Sequence, residues 1–587
     1  MNMSKNIARL AVTAGLTAAL SFGGVMAPVT MAFAEGAPGS ITINKADEDN
    51  ANNTFKAYQI FKAKVVDEEG KGKVTSDIEW SSDTIGSKVI AAITGSTQYN
   101  KLVQKDSTKK LANDATAPVV AEWLAKNVTG TSASSGDSKG TRVAPGDVLY
   151  EIATKVASET PAGYSIQENT PWTRPDLTPE SPSGDGYYLF VSNDLKKDMP
   201  NTGTSPIFAI VGGDPVTVTE KTSIPEVDKK ILNDGKNKTA ETTDDKDWDI
   251  VGDSQIGQEV DYKLTGTVAD NIASYATYEY EFQDTLSKGL VVTKGEDNAP
   301  KDLHVYIVNS NSKTEVKEGF TATVTPAAET QNSELLTVSF TDLKAVKGDD
   351  GAAITVDKDS KVVVTYKAQL TSGASYEVVG NPNTVKLVYS NNPMGKGTGT
   401  SVEKTVTDHV FCLDVTKVDQ KDMNKKLVAG FKVKVVENED SASVGRWLSK
   451  DGSLVNDEAG AHEFKTDEST GEVKIPGLDA GKYEITETTT QAGYNTIAPF
   501  TITVTPEYDR QGNLEKLTVT DTSDMVDTND VESAIIPVTV KNKKGSGLPL
   551  TGLNGVTFTW IAGGAVLCIG VAHLIRSRKQ AEESEQE

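Results

Sequence analysis

From Pro225 onward the chain is built of short runs in which apolar and polar residues alternate, divided by clusters of Gly, Asn, Asp and Ser. VDYKLTGTV (260–268), LLTVSF (335–340), KVVVTYKAQL (361–370) and TVKLVYS (384–390) are examples. Successive side chains of a strand point to opposite faces, so a period of two predicts strands with one inward and one outward face. Strands of this length between turn formers predict antiparallel sandwiches. The stretch 410–543 repeats the pattern with CLDVTKV, FKVKVVE, GEVKIPGL, KYEITET, FTITVTP and IIPVTVKN.

The N-terminal third reads differently. It opens with a strand-like ITINK (41–45) and closes with GYYLFVS (186–192) and IFAIVGG (207–213). Between them, Val119, Val120, Trp123, Leu124 and Asn127 follow helical spacing, as do Leu149, Ile152, Ala153 and Val156. This predicts a sandwich with helical insertions. Boundaries are expected within 219–227 (TEKTSIPEV), near 400–408 and at the Gly-Ser-Gly linker 545–547. The expected division is 1–34, 35–220, 221–407, 408–544, 545–552, 553–575 and 576–587, with about three folded domains in residues 35–544.

The ends of the chain indicate export. Lys5 and Arg9 precede an apolar, small-residue stretch from Leu10 to Val29, and Ala32-Phe33-Ala34 fits signal-peptide cleavage before Glu35. At the other end, Leu548-Pro549-Leu550-Thr551-Gly552 precedes an apolar run from Val556 to Ile575, then Arg576, Arg578 and Lys579. About 20 apolar residues span a bilayer, and the basic cluster stays on the cytoplasmic side.

An exported chain of this length usually needs covalent staples, and here they are missing. Of the two cysteines, Cys568 lies in the apolar run, which leaves Cys412 without an internal disulfide partner. Another cross-link would fill the gap. The net charge of -24 makes nucleic acid an unsuitable partner. His304, His409, His462 and His573 are scattered and suggest neither a metal site nor a triad. The acidic stretches near Asp47 and Asp349 lack calcium-loop spacing, and there is no Gly-rich phosphate loop. No cofactor and no metal are expected.

Leu548–Gly552, with its apolar span and basic tail, resembles the LPXTG sorting signal of sortase substrates. The resemblance implies cleavage between Thr551 and Gly552, with Thr551 held as a thioester until an amine attacks; the catalytic groups belong to the sortase.

YEITETTTQAGYN (483–495) resembles the E-box of Gram-positive pilins and of B-type collagen-adhesin domains, YxLxETxAPxGY. Tyr483, Glu487, Thr488, Gly493 and Tyr494 match, Ile485 stands for Leu, and Thr490-Gln491 stands where Ala-Pro is usual. The resemblance implies an amide bond between Lys417, on the first strand, and Asn542, on the last, promoted by Glu487. The chemistry is sound. A lysine buried in an apolar core loses solvation and yields a neutral amine, and a buried protonated carboxyl group can polarise the asparagine amide and shuttle protons. Such a staple restricts the unfolded chain as a long-loop disulfide does, on the order of 4 kcal/mol.

PEVDKKI (225–231), EFQDTLSKGL (281–290) and NPNTVKLVYSNNP (381–393) resemble an A-type collagen-adhesin domain, in which aspartate replaces the glutamate. The resemblance carries over to Lys229, Asp284 and Asn383. Lys230 and Asn381 are the alternatives. Val227 and Ile231 share the face of Lys229, which favours Lys229. Lys45, on the opening strand, has no matching terminal asparagine, so no such bond is expected in the first domain.

In shaft pilins of this class a lysine between the first two domains, often in a YPK-like motif, attacks the thioester of the next subunit. Lys221, in TEK, occupies that position. Together these features resemble the Spa-type and fimbrial major pilins. The implied fold is mainly β: tandem Ig-like β-sandwich domains, A-type and B-type collagen-adhesin-like, after a helix-containing N-terminal domain. The implied role is the shaft subunit of a covalent pilus, with Thr551 of one copy joined to Lys221 of the next. The implied partners are a class C pilus sortase and a housekeeping sortase, further copies of the chain, peptidoglycan, tip or basal pilins, and an unidentified ligand on host or bacterial surfaces. Asp284 and Glu487 would act once each, without substrate turnover. The rivals are a monomeric wall-anchored adhesin, an ancillary pilin and a wall-anchored enzyme. An enzyme would need a pocket with catalytic groups, and no motif for one is present.

Overall fold

The computed structural model describes residues 39–45, 53–68, 72–128, 143–159, 164–174, 184–193, 195, 199–220, 222–232, 247–295, 299–310, 312–327 and 333–545. The stretch 1–34, where a signal peptide is expected, Lys221, the pentapeptide Leu548–Gly552 and the apolar run after it lie outside the described residues. Among the described residues, no helix is long and apolar enough to cross a membrane.

In the N-terminal region a five-stranded sheet runs in the order Gly72–Trp80, Thr54–Glu68, Gly186–Asn193, Ile207–Val211, with Tyr164–Gln167 also paired to Thr54–Glu68. Helices Asp83–Gly95, Thr97–Lys105, Ala117–Asn127 and Val148–Glu159 belong to this region. They form a layer of their own on one face of the sheet, more than insertions in a two-sheet sandwich. Tyr187, Leu189 and Val191 pack into the core that the helices share, while Tyr188 and Phe190 pack on the other face. There, the parallel pair Ile41–Asn44 and Val216–Thr219 closes a second core. Both faces of Gly186–Asn193 are covered, so the strand carries an unbroken apolar and aromatic run from Tyr187 to Val191.

The middle region is a two-sheet sandwich. One sheet runs Ser312–Glu315, His304–Asn309, Lys361–Leu370, Val260–Thr267, Val227–Leu232, Trp248–Asp249. The other contains Val251–Asp253, Lys404–His409, Asn381–Ser390, Tyr280–Leu286, Glu334–Phe340 and Thr321–Pro326. A single core from Val227 to Val410 lies between them.

The C-terminal region, with a core from Phe411 to Val540, is a second sandwich. Its smaller sheet runs Glu472–Leu478, Phe411–Asp419, Ile535–Asn542, Val526–Asp527. The facing sheet is centred on Ala429–Glu437, Gly481–Thr490 and Phe500–Tyr508. Phe411–Asp419 and Ile535–Asn542 run parallel, with Lys417 opposite Val540 and Asp419 opposite Asn542. The first and last strands of this region are therefore neighbours although some 120 residues separate them in the chain.

The two sandwiches meet through polar contacts. The Tyr508 hydroxyl donates to Asp253 Oδ2 at 2.8 Å, and Gln255 Nε2 donates to the carbonyl oxygen of Gly452 at 2.9 Å. His409 Nε2 donates to the Gly512 carbonyl at 2.9 Å while its ring stacks on Tyr508.

Candidate functional site

Each sandwich holds a fully buried lysine, carboxylate and asparagine in its core. In the C-terminal region, alternation along Phe411–Asp419 turns Val415 and Lys417 inward together, so the lysine enters the core with its apolar neighbours. Lys417 Nζ donates to Asn542 Oδ1 at 2.6 Å and lies 3.1 Å from Glu487 Oε1. Asn542 Nδ2 donates to the same Oε1 at 2.9 Å. Glu487 comes from the facing sheet, and its Oε2 accepts from the Ile497 backbone N–H at 2.9 Å, which fixes the carboxylate. Phe431 covers the amine, its ring centroid 5.4 Å from Nζ.

The rest of the E-box holds the turns around this cluster. The Tyr483 hydroxyl donates to the Asp479 carbonyl at 2.9 Å. Tyr494 donates to Asp419 Oδ2 at 2.7 Å, and Gly493 takes a positive φ that suits glycine.

The middle cluster has the same chemistry in another arrangement. Lys229, 1 % exposed, sits on Val227–Leu232 opposite Leu264, with Val227 and Ile231 buried on the same face. Asp284 and Asn383 lie on adjacent strands of the other sheet, Asp284 paired with Val385 and Asn383 with Leu286. Lys229 Nζ is ion-paired to Asp284 Oδ1. Tyr366, from the lysine's own sheet, connects the rest: its hydroxyl donates to Asp284 Oδ2 at 2.5 Å and accepts from Asn383 Nδ2 at 2.8 Å. Lys229 Nζ is 3.3 Å from the same hydroxyl. Asn383 Oδ1 is buried with no hydrogen-bond partner, a cost of about 1–3 kcal/mol. Tyr262 and Tyr366 flank the amine, each ring centroid 5.6 Å from Nζ.

Burial is the main influence on both amines. Loss of hydration disfavours the ammonium form and outweighs the pull of the neighbouring carboxylate, so Lys229 and Lys417 are each pushed down to about 8. Near neutral pH a usable fraction of each is therefore a neutral nucleophile.

The two alternatives are placed elsewhere. Lys230 turns to the opposite side of its strand and is only partly buried. Asn381 is buried but holds a turn: its Oδ1 accepts from Ser375 N–H at 2.7 Å, and its Nδ2 donates to the Ser375 and Asp408 carbonyls. In the N-terminal region Lys45 is partly buried, and its backbone N–H donates to Asn169 Oδ1. Tyr366 is the one cluster member not identified from sequence. Its only signal is an inward position in KVVVTYKAQL, which any core tyrosine would share.

Residues 412–523 match the family model described as SpaA, prealbumin-like fold domain; the match includes Lys417 and Glu487 and ends before Asn542. No curated protein matches the sequence significantly. Among solved structures, the chain is similar to the T6 backbone pilin of serotype M6 Streptococcus pyogenes, at 13% identity and TM-score 0.46, over 88% of this chain and 100% of that one. It is similar to the full-length major pilin SpaD of Corynebacterium diphtheriae, at 15% identity and TM-score 0.41, over 87% and 98%. A third is the C. diphtheriae major pilin SpaA, at 12% identity and TM-score 0.36, over 86% and 100%.

Proposed function

We propose that the chain is the shaft subunit of a sortase-assembled, wall-anchored pilus, and that each sandwich closes an internal amide bond, Lys229 to Asn383 and Lys417 to Asn542. The observation that carries the reading is the pair of buried clusters, in which a lysine of lowered pKa, a carboxylate and an asparagine meet inside each core.

The neutral amine attacks the asparagine Cγ. The carboxyl group, hydrogen-bonded to the reacting groups, takes a proton from the attacking nitrogen and delivers one to the departing Nδ2. One amide C–N bond forms, one breaks, and ammonia leaves. In the C-terminal cluster Glu487 touches both partners directly. In the middle cluster Tyr366 relays between Asp284 and Asn383. Once formed, the bonds tie the first strand of each sandwich to one near its end, so a pull along the chain meets covalent links before it reaches the strand hydrogen bonds.

Export, the pentapeptide Leu548–Gly552 and the absence of a disulfide partner for Cys412 fit the same reading. Polymerisation would join Thr551 of one copy to Lys221 of the next through the class C sortase, and a housekeeping sortase would pass the finished fibre to peptidoglycan. Adhesion would follow from the fibre or from its tip pilins.

The test is an immunoblot of cell-wall extracts from cells that carry the sortases. A detergent-resistant ladder that collapses to monomer in Lys221→Ala is the expected result. A ladder unchanged by the substitution moves the linking lysine elsewhere. Monomer alone in the wild type favours a single wall-anchored adhesin.

A further inference from the structure

We propose that Met199-Pro200-Asn201-Thr202-Gly203 is a second sortase acyl-donor site, kept closed by the packing of the N-terminal region on the middle sandwich; the inference rests on the sortase reading above. In residue chemistry the segment repeats Leu548–Gly552: a long apolar side chain that is not β-branched, Pro, a variable residue, then Thr-Gly. Met and Leu are close in volume and exchange readily in apolar pockets. Proline pre-sets an extended backbone, and glycine after the scissile bond allows an enzyme to approach closely.

The structure withholds this bond from any enzyme. Met199 and Pro200 are half-buried, but Asn201, Thr202 and Thr204 are at most 1 % exposed. The Thr202 carbonyl accepts from Asn53 Nδ2 of the N-terminal region at 3.0 Å, while the Gly203 N–H donates to the Asn391 carbonyl of the middle region at 2.6 Å. Both sides of the Thr202–Gly203 peptide unit are thus occupied, one by each region. Asn271 Nδ2 donates to the Gly203 carbonyl at 3.1 Å, and the Ser205 and Ser274 hydroxyls meet at 2.7 Å. Any enzyme that cleaves this bond must reach the Thr202 carbonyl carbon, which both regions cover, so the site opens only when the two regions part.

The reaction is the one assigned to Thr551. A sortase cysteine thiolate attacks the Thr202 carbonyl carbon, the Thr202–Gly203 amide breaks, and Gly203 leaves as a new amino terminus. An amine then attacks the thioester, forms an amide at Thr202 and releases the thiolate. The outcome is an N-terminal region transferred to another amine and a shortened subunit.

The test uses a class C sortase with triglycine as the amine. Four substrates are compared: a peptide of residues 546–554, a peptide of residues 198–206, the full chain carrying Thr551→Ala, and that chain with Asn271→Ala and Ser274→Glu to wedge the regions apart. Both peptides should give the threonyl-triglycine product. The unwedged chain should give none, and the wedged chain should give a fragment ending at Thr202, lost again on Thr202→Ala. Reaction of the tail peptide without the internal one overturns the inference and leaves the pilin reading intact. Rapid cleavage of the unwedged chain at Thr202 overturns the closure. An inert tail peptide refutes the sortase reading, and this inference falls with it.

Discussion

The middle and C-terminal sandwiches bury the same three functional groups and connect them differently. In the C-terminal one, lysine and asparagine lie on neighbouring parallel strands of one sheet, and the longer Glu487 reaches across from the other sheet to touch both. In the middle one, lysine lies in one sheet while aspartate and asparagine lie in the other. The shorter carboxylate pairs with the lysine, and Tyr366 provides its contact to the asparagine. For the proposed amide formation, both arrangements place one carboxyl group within hydrogen-bond reach of both nitrogens, directly or through one hydroxyl. The two proposed bonds would also do different mechanical work: Lys417 to Asn542 would link neighbouring strands, and Lys229 to Asn383 would hold two sheets face to face.

The largest break in the comparison comes from removing the acids. Asp284→Ala should abolish only the Lys229–Asn383 bond, and Glu487→Ala only the Lys417–Asn542 bond. Each leaves a buried lysine without its counter-charge, at about 3–5 kcal/mol. Intact mass should rise by one ammonia per lost bond, with a lower melting temperature for that sandwich. The pH dependence should show what the clusters share. Each amine titrates at about 8, so the neutral fraction, and with it the rate of bond formation in freshly folded chain, rises about tenfold per pH unit below that point and levels off above it.

The sign for stability follows from the same shift. In chains blocked by Asn383→Ala or Asn542→Ala, the folded lysine is depressed from 10.5 to about 8. Between those values the unfolded chain holds the extra proton, so stability rises with pH across that window and is lower, and constant, below it. Urea titrations at several pH values check this.

Tyr366→Phe separates the two designs. It should slow or stop bond formation in the middle sandwich and leave the C-terminal bond unchanged, as time-resolved mass measurement would show. Before bonding, the unsatisfied polar groups cost about 1–3 kcal/mol. The smallest effect is expected from Asn381→Ala, which removes turn hydrogen bonds worth about 1 kcal/mol each but leaves both amide bonds forming. Loss of the middle bond in that variant would exchange the roles of Asn381 and Asn383.

What was legible in the sequence follows the same contrast. The C-terminal cluster is marked by a contiguous motif around Glu487, and alternation separates Lys229 from Lys230 because neighbours on a strand face opposite ways. Asn381 and Asn383 are two apart and face the same way, so periodicity says nothing between them; their different hydrogen bonds do. Tyr366 comes from a strand whose pattern is that of any core strand. In the N-terminal region, Asp83–Gly95 has Ile85, Val89, Ile90 and Ile93 at helical spacing and a Ser82 cap, a readable signal. Thr97–Lys105 fully buries only Tyr99; its apolar face is the short set Tyr99, Leu102 and Val103 on nine residues, too brief to separate helix from loop by periodicity alone. The segment 199–206 has the composition of an exposed loop, yet 201–206 is buried, because both regions supply partners for its backbone.

Two internal bonds that differ in wiring are proposed for one chain. Intact mass of the signal-free chain, followed by peptide mapping, tests this proposal most directly. The expected mass is two ammonia below the sequence value, with Lys229 cross-linked to Asn383 and Lys417 to Asn542. A chain at its full sequence mass, with all four side chains unmodified after prolonged incubation at pH 8, would contradict it.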